Sequence, residues 1–356
     1  MSPLAERDFK RILLIKPSSP GDIIHALPVL HGLRKRYPSA HLAWLVATPF
    51  AELIETDPAL DEVILFDRKR FGFLGRSFRI TWEFIRFLRD LRARRFDLVI
   101  DLQGLFRSGF LARASGAKTR IGFAAAREMA WLFYTDKIEE GDPDAHAADK
   151  NYAVASMLGF ADVSMDFTIH LTDGDRKMAS ELLKSSGMGE SFAALVPGTR
   201  WETKRWAAER FGKLARAIKE QHQLPSVLIG GSGDIPEAEQ AVAASAGAAK
   251  NLCGKTTLRQ AAAIIERAAI VVTADSTPMH LAAVMNRPLV ALFGPTNPAR
   301  TGPYGRTKSV LRLQLDCSPC YFRKLSQCPY GHACMRDLSV DLATDAVGRA
   351  LATVPA

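Results

Sequence analysis

Short apolar segments recur along this chain, each followed by a stretch with helical spacing, and that alternation constrains the fold more than any other feature. Candidate strands run over Arg11–Lys16, His41–Val46, Val63–Phe66, Asp97–Asp101 and Thr119–Gly122, then over Phe192–Val196, Ser226–Gly230, Ile270–Thr273 and Leu289–Phe293. Brief, almost continuously apolar strands joined through helices belong in a parallel sheet covered on both faces. The rhythm lapses once, near Gly159–Asp173, after a helix through Asn151–Leu158. The reading is therefore α/β, with two Rossmann-like domains, 1–165 and 166–356, facing each other across a cleft. A chain of 356 residues suits two such domains. A terminal helix near Asp341–Ala352 closes the chain and is left free to pack back on the first domain.

Composition narrows the setting. The chain is 47% hydrophobic and 24% charged, ordinary for a globular protein, and no run approaches the roughly 18 apolar residues of a membrane span. The N-terminal apolar run is only Ile12–Ile15 and Lys16 ends it, which is not a secretion signal and places the protein in the cytoplasm. The net charge is +9, and residues 61–127 supply almost all of it, with 15 Lys and Arg against 7 Asp and Glu. Such a field suits an anionic partner. Arg86, Arg89, Arg92 and Arg94 fall on a surface helix and are equally read as a solvated face, whereas Arg68, Lys69, Arg70, Arg76 and Arg79 lie in an irregular, Gly-containing segment. No nucleic-acid module is recognisable, and the aromatics do not recur at a stacking interval.

Four segments carry candidate chemistry. In VVTADSTPMHLAAVMNRPLVALFGPTNPARTGPYG (271–305) a strand runs into Asp275, Ser276 and Thr277, where a helix N-cap belongs, with Pro278 in the first turn. A helix start offers unpaired N–H groups and the positive end of the dipole, a seat for phosphate. Asp275 adds an acceptor for sugar hydroxyls, and the FGPTNPARTGPYG loop leaves the next strand beside it, so a nucleotide-sugar fits. Near the N-terminus, KPSSPGDIIHALPVL aims Asp22 at the carboxyl edge of the first sheet as a candidate general base; helix capping is the competing role, and His25 lies one turn on. PGTRWETKRW places Thr199, Thr203 and Lys204 where a diphosphate leaving group would need a cation. Trp201 and Trp206 are equally packing or contact residues. GGSGD at 230–234 lacks the full dinucleotide spacing and marks a tight strand-to-helix turn.

KPSSPGDIIHALPVL, PGTRWETKRW, TADSTPMHLAA and FGPTNPARTGP, in this order and at these separations, resemble the bacterial ADP-heptose:lipopolysaccharide heptosyltransferases, glycosyltransferase family 9. The closest look is to the heptosyltransferase I type, and the similarity runs from Arg11 to the terminal helix. The resemblance implies a GT-B fold, an acceptor on the first domain and a nucleotide-sugar on the second, and inverting, metal-independent transfer without a cofactor. It implies movement of heptose from ADP-heptose to the Kdo and inner-core region of a lipid A precursor, in lipopolysaccharide core synthesis. By position, Asp22 is the implied base and Lys204 the phosphate-neutralising cation. The implied donor set is Thr199, Thr203, Asp275, Ser276, Thr277, Pro278, Met279, His280, Gly294, Pro295 and Thr296. The acceptor set is Ser18, Ser19, Gly21, Arg68, Lys69, Arg70, Arg76, Arg79 and Arg120. Two positions depart from the family: Thr277 stands where Gly is common and Asn297 where Asp is common. An acidic acceptor would explain the basic first domain and imply a peripheral place on the inner face of the inner membrane, with contact near Phe71, Phe73 and Leu74. Alternatives are a relative using another sugar nucleotide or a protein acceptor, a nucleotide-sugar epimerase, or a non-catalytic sugar-nucleotide binder.

Cys317, Cys320, Cys328 and Cys334 form C-x2-C-x7-C-x5-C, with His332 nearby and Cys253 apart. The first pair is a reasonable metal half-site; a structural zinc or iron and a hairpin of free thiols both fit the spacing. The cluster lies outside the four motifs, so no catalytic metal is expected from it.

Overall fold

The computed structural model describes residues 4–139 and 141–353. Twelve strands form two separate six-stranded sheets. The first holds β1 (Arg11–Ile15), β2 (His41–Ala47), β3 (Glu62–Phe66), β4 (Leu98–Asp101), β5 (Thr119–Phe123) and β6 (Asp136–Ile138), ordered 3-2-1-4-5-6. The second holds β7 (Ala193–Val196), β8 (Ser226–Leu228), β9 (Ala249–Asn251), β10 (Ile270–Ala274), β11 (Leu289–Phe293) and β12 (Val310–Arg312), ordered 12-11-10-7-8-9. Counted within its own unit, the second sheet has the same order as the first. Every pairing is parallel. The order reverses between β1 and β4 in one sheet and between β7 and β10 in the other. Loops diverge at such switch points, and ligands gather there.

The chain divides into Met1–His170 and Leu171–Ala356. In the first unit, Leu13, Ile15, Leu45, Ile64, Phe66 and Val99 from the sheet meet Leu91 and Leu111 from covering helices. In the second, Leu195, Leu228, Val272 and Leu292 meet Trp206, Phe211, Leu214 and Ile218. The terminal helix, Val340–Ala352, starts at Ser339, whose Oγ accepts from the Leu342 amide at 3.2 Å. It buries Ala343, Thr344 and Val347, and Ala343 and Val347 join the core of the second unit.

One long helix of the first unit, Phe78–Ala93, has two apolar faces. Phe84, Phe87, Leu88 and Leu91 pack inward, as expected of an amphipathic helix on a sheet. Phe78, Trp82 and Ile85 recur at the same helical spacing on the other side, with Phe78 88% and Trp82 52% exposed. Ahead of it, Phe71 lies against Phe66, Phe84 and Phe87, while Phe73 and Leu74 stay exposed. No helix among the described residues is long and apolar enough to cross a membrane.

Candidate active site

β1 delivers the KPSSPGD turn to the first switch point. Its fully apolar interior ends at Lys16, and Pro20 supplies the fixed φ that opens the short helix Pro20–Ile24. Asp22 Oδ2 accepts from the Ser19 amide and the Ser19 hydroxyl, both at 2.8 Å. No hydrogen bond among the described residues reaches Oδ1. Asp22 therefore caps its helix through one carboxylate oxygen. Lys16 is buried, and its Nζ donates to the Leu102 carbonyl at 2.6 Å across the switch point. Burial pushes this amine below its usual value, against the charges of Asp22 and Asp101, which raise it. Beside it, Gln103 Oε1 accepts from the Ser18 amide at 3.3 Å. His25 is buried edge-on against His146, with ring centroids 4.8 Å apart.

Next to this turn is a cavity of about 140 Å³ lined by Ser18, Phe66, Arg68, Gln103, Arg107 and Glu128, among others. Arg68 and Arg107 form no ion pair among the described residues, which leaves two guanidinium groups for an anion. Arg107 was missed from the sequence; its signal is its position just beyond the β4 loop at the switch point. Other members of the expected acceptor set sit differently. Arg70 and Arg79 both pair with Glu83, at 2.6 and 3.2 Å, and Lys69 and Arg76 are exposed. Gly21 is buried within the helix. Arg120 is a correction: it lies at the beginning of β5, the opposite end from the switch-point loops, and its guanidinium donates to the Phe133 and Ala117 carbonyls at 2.7 and 2.6 Å.

In the second unit, Lys204 Nζ lies 2.6 Å from Asp275 Oδ2, and Thr296 Oγ1 donates to the same oxygen at 2.6 Å. Separate tasks were expected of these side chains; the structure makes them one ion pair, with Asp275 buried and Lys204 half-buried. Thr199 Oγ1 donates to the Asp275 carbonyl at 3.4 Å. The Trp201 ring has Lys204 on it at 4.4 Å and Arg323 at 4.8 Å, so cations converge on an aromatic platform. Trp206 is core instead, with its Nε1 donating to Leu338 O at 2.9 Å.

The helix Thr277–Val284 begins at Ser276, whose hydroxyl does not cap it. Ser276 Oγ instead lies 3.1 Å from Thr273 Oγ1 and donates to Ala274 O at 3.3 Å. Within the first turn the Thr277 amide has no side-chain cap, Pro278 carries no N–H, and the Met279 amide donates to the Ser276 carbonyl at 3.1 Å. Thr277 and Pro278 are half-buried at this start, while Met279 and His280 are buried. Two expected donor contacts change role. Thr203 is buried, its hydroxyl donates to Phe322 O and its carbonyl meets His332 Nε2 at 2.6 Å. Gly294 faces inward: a Cβ there would lie 2.8 Å from Met335 Sδ and 2.9 Å from Cys334 Sγ. GGSGD serves packing, since Asp234 accepts from the Gly231 amide at 2.8 Å and fills the space where Gly198 would carry a Cβ.

The cysteine hairpin is tied to the motifs that it was expected to avoid. Cys320 and Tyr321 amides donate to Pro295 O at 3.0 and 2.8 Å, and Ser318 Oγ to Gly294 O at 2.5 Å. Cys317, Cys320, Cys328 and Cys334 line one cavity of about 40 Å³. Burial and the three neighbouring sulfurs push the Cys334 thiol up to about 11.

Two Rossmann-like units in one chain, each with polar loops at its switch point, define a GT-B glycosyltransferase. A family model described as glycosyltransferase family 9 (heptosyltransferase) matches residues 84–331, and the chain belongs to that family. It is 31% identical to lipopolysaccharide heptosyltransferase 1 of Pseudomonas aeruginosa over 317 residues, covering 87% of this chain and 86% of the relative. It is 30% identical over 311 residues to lipopolysaccharide heptosyltransferase 1 of Escherichia coli K12, covering 85% and 93%. A family 9 glycosyltransferase structure from Veillonella parvula superposes with a TM-score of 0.83 at 26% identity, over 98% of both chains. An E. coli heptosyltransferase solved with ADP-2-deoxy-2-fluoro heptose gives 0.74 at 26%, over 95% of this chain and 99% of that one.

Proposed function

We propose that this enzyme moves heptose from ADP-heptose to an acidic inner-core sugar on a lipid A precursor, with inversion at the anomeric carbon. The observation that carries the reading is the ion pair of half-buried Lys204 with buried Asp275, beside the start of helix Thr277–Val284, which has no side-chain cap. The Thr277 amide and the positive end of the helix dipole take the diphosphate. Lys204 exchanges Asp275 for the leaving phosphate as charge builds there, and Asp275, held by Thr296, accepts from heptose hydroxyls. Asp22 removes the proton from the acceptor hydroxyl through Oδ1. The acceptor oxygen bonds to the anomeric carbon as the bond to the diphosphate breaks, and ADP leaves with that electron pair. Arg68 and Arg107 hold the acceptor's carboxylate or phosphate.

The membrane-surface part of the reading rests on helix Phe78–Ala93. An exposed Phe78, Trp82 and Ile85 stripe, bordered by Arg79, Arg86 and Arg89, suits insertion at a lipid interface with the cations at anionic head groups. Arg89 already stacks on Trp82, 5.5 Å from its centroid. The chemistry is tested by ADP release from ADP-heptose with a Kdo-bearing lipid A acceptor, in the presence of EDTA. Release should depend on acceptor and fall by about 10²–10⁴-fold in Asp22→Ala. Measurable donor binding without acceptor-dependent release, or full activity in Asp22→Ala, overturns it.

A further inference from the structure

A second polar cluster lies in the first unit, away from the switch-point loops. His31 sits on helix Leu27–Arg36, Asp57 follows the turn after Thr48–Leu53, and His170 ends the unit. The His31 and Asp57 side chains are 7% and 3% exposed. Both His31 nitrogens face oxygen acceptors: Nδ1 lies 2.8 Å from the Asp166 carbonyl and Nε2 2.9 Å from Asp57 Oδ2. A carbonyl can only accept, so Nδ1 carries a proton. Nε2 then either carries a second proton, pairing an imidazolium with Asp57, or turns its lone pair to a cation held with that buried carboxylate. His170 supplies a third ligand atom, and those of His31, Asp57 and His170 all lie within 4.8 Å of one another.

The surroundings are those of a metal centre. An Nδ1–H donated to a carbonyl fixes the tautomer that turns Nε2 toward an ion. Asp57 Oδ1 is held by the Ala59 amide at 2.9 Å, leaving Oδ2 for the cluster. Thr56 Oγ1 donates to the His170 carbonyl at 2.6 Å and anchors the third ligand's backbone. We propose that His31, Asp57 and His170 bind a divalent transition-metal ion, zinc by its preference for imidazole and carboxylate, with water in the fourth position. The ion clips the last residues of the first unit onto its body and takes no part in sugar transfer.

The test uses the full chain, stripped with chelator and titrated with Co²⁺. Thiolate-to-cobalt charge transfer reports the cysteines, so ions bound by nitrogen and oxygen alone are counted separately. Wild type should bind one thiolate-free equivalent that His170→Ala and Asp57→Asn lose, with the thiolate band unchanged. Zinc should raise the wild-type Tm, and this rise should shrink in His170→Ala, whose metal-free Tm stays near wild type because His170 is half-buried. His170→Gln replaces the alanine variant if the latter fails to fold. Absence of a thiolate-free site in wild type, or equal stoichiometry and zinc response in the variants, overturns the proposal and leaves a proton as the bridge.

Discussion

Asp275 lies 6% exposed with Lys204 and Thr296 on one oxygen, so these partners, more than water, surround its carboxylate. Removing one member of such a pair strands the other, at a cost of about 3–5 kcal/mol, whereas removing both costs less than the sum. Urea unfolding of Lys204→Ala, Asp275→Ala and the double variant should give a coupling of about 2 kcal/mol or more; additive losses would mean that the pair is not formed in solution. Asp101 contributes to the pH response. It is fully buried, and burial raises its carboxyl above the ordinary value despite hydrogen bonds from Tyr134, Ser108 and the Gln103 and Gly104 amides, which lower it. An acid raised in this way favours folding below its unfolded value, near 3.9, and that contribution is lost as pH rises through the folded value. Asp101→Asn should therefore gain stability relative to wild type as pH climbs above about 4, and a difference flat with pH would contradict this. Sequence exposed Asp22, Lys204 and Asp275 through residue type and position after a strand. It hid the contact between the last two, because they are 71 positions apart and meet only once β7 and β10 pair.

Elements show the same division. The central strands were legible because each is buried on both faces and reads as an apolar run. Three of the four edge strands, Asp136–Ile138, Ala249–Asn251 and Val310–Arg312, were not: at three residues each they contain less than two periods of any pattern, whereas the five-residue edge strand Glu62–Phe66 was legible. The helix expected over Asn151–Leu158 starts earlier and breaks into Ala147–Tyr152 and Val154–Leu158. Spacing also could not tell that the cysteine hairpin fastens the donor loop through Gly294 and Pro295. Gly294 is the sensitive point, because the Met335 and Cys334 sulfurs occupy the space of a side chain. Gly294→Ala should cost about 1–3 kcal/mol by overpacking and raise KM for the nucleotide-sugar more than it lowers kcat. Steady-state kinetics check this, and an unchanged donor KM would uncouple hairpin from loop.

Across the whole molecule, the +8 surplus of residues 61–127 falls in the same stretch of sequence as the exposed aromatics of helix Phe78–Ala93, and Arg79, Arg86 and Arg89 lie on that helix. Binding to vesicles should require anionic lipid, weaken as salt shortens the Debye length to about 3 Å near 1 M, and fall in Phe78→Ala/Trp82→Ala. Sedimentation with neutral and anionic vesicles decides it; equal binding to both would remove the electrostatic part. The two sheets share one strand order, and the residues that differ in chemistry are mounted on loops at its reversal. The hydrogen-bonded frame is thus indifferent to what it serves. Residues 67–77, between β3 and the long helix, lie outside that frame, so changes in their length or sequence disturb no strand register. On the proposed reading, a new acceptor preference can then arise by rewriting one segment, with the donor loops left unchanged.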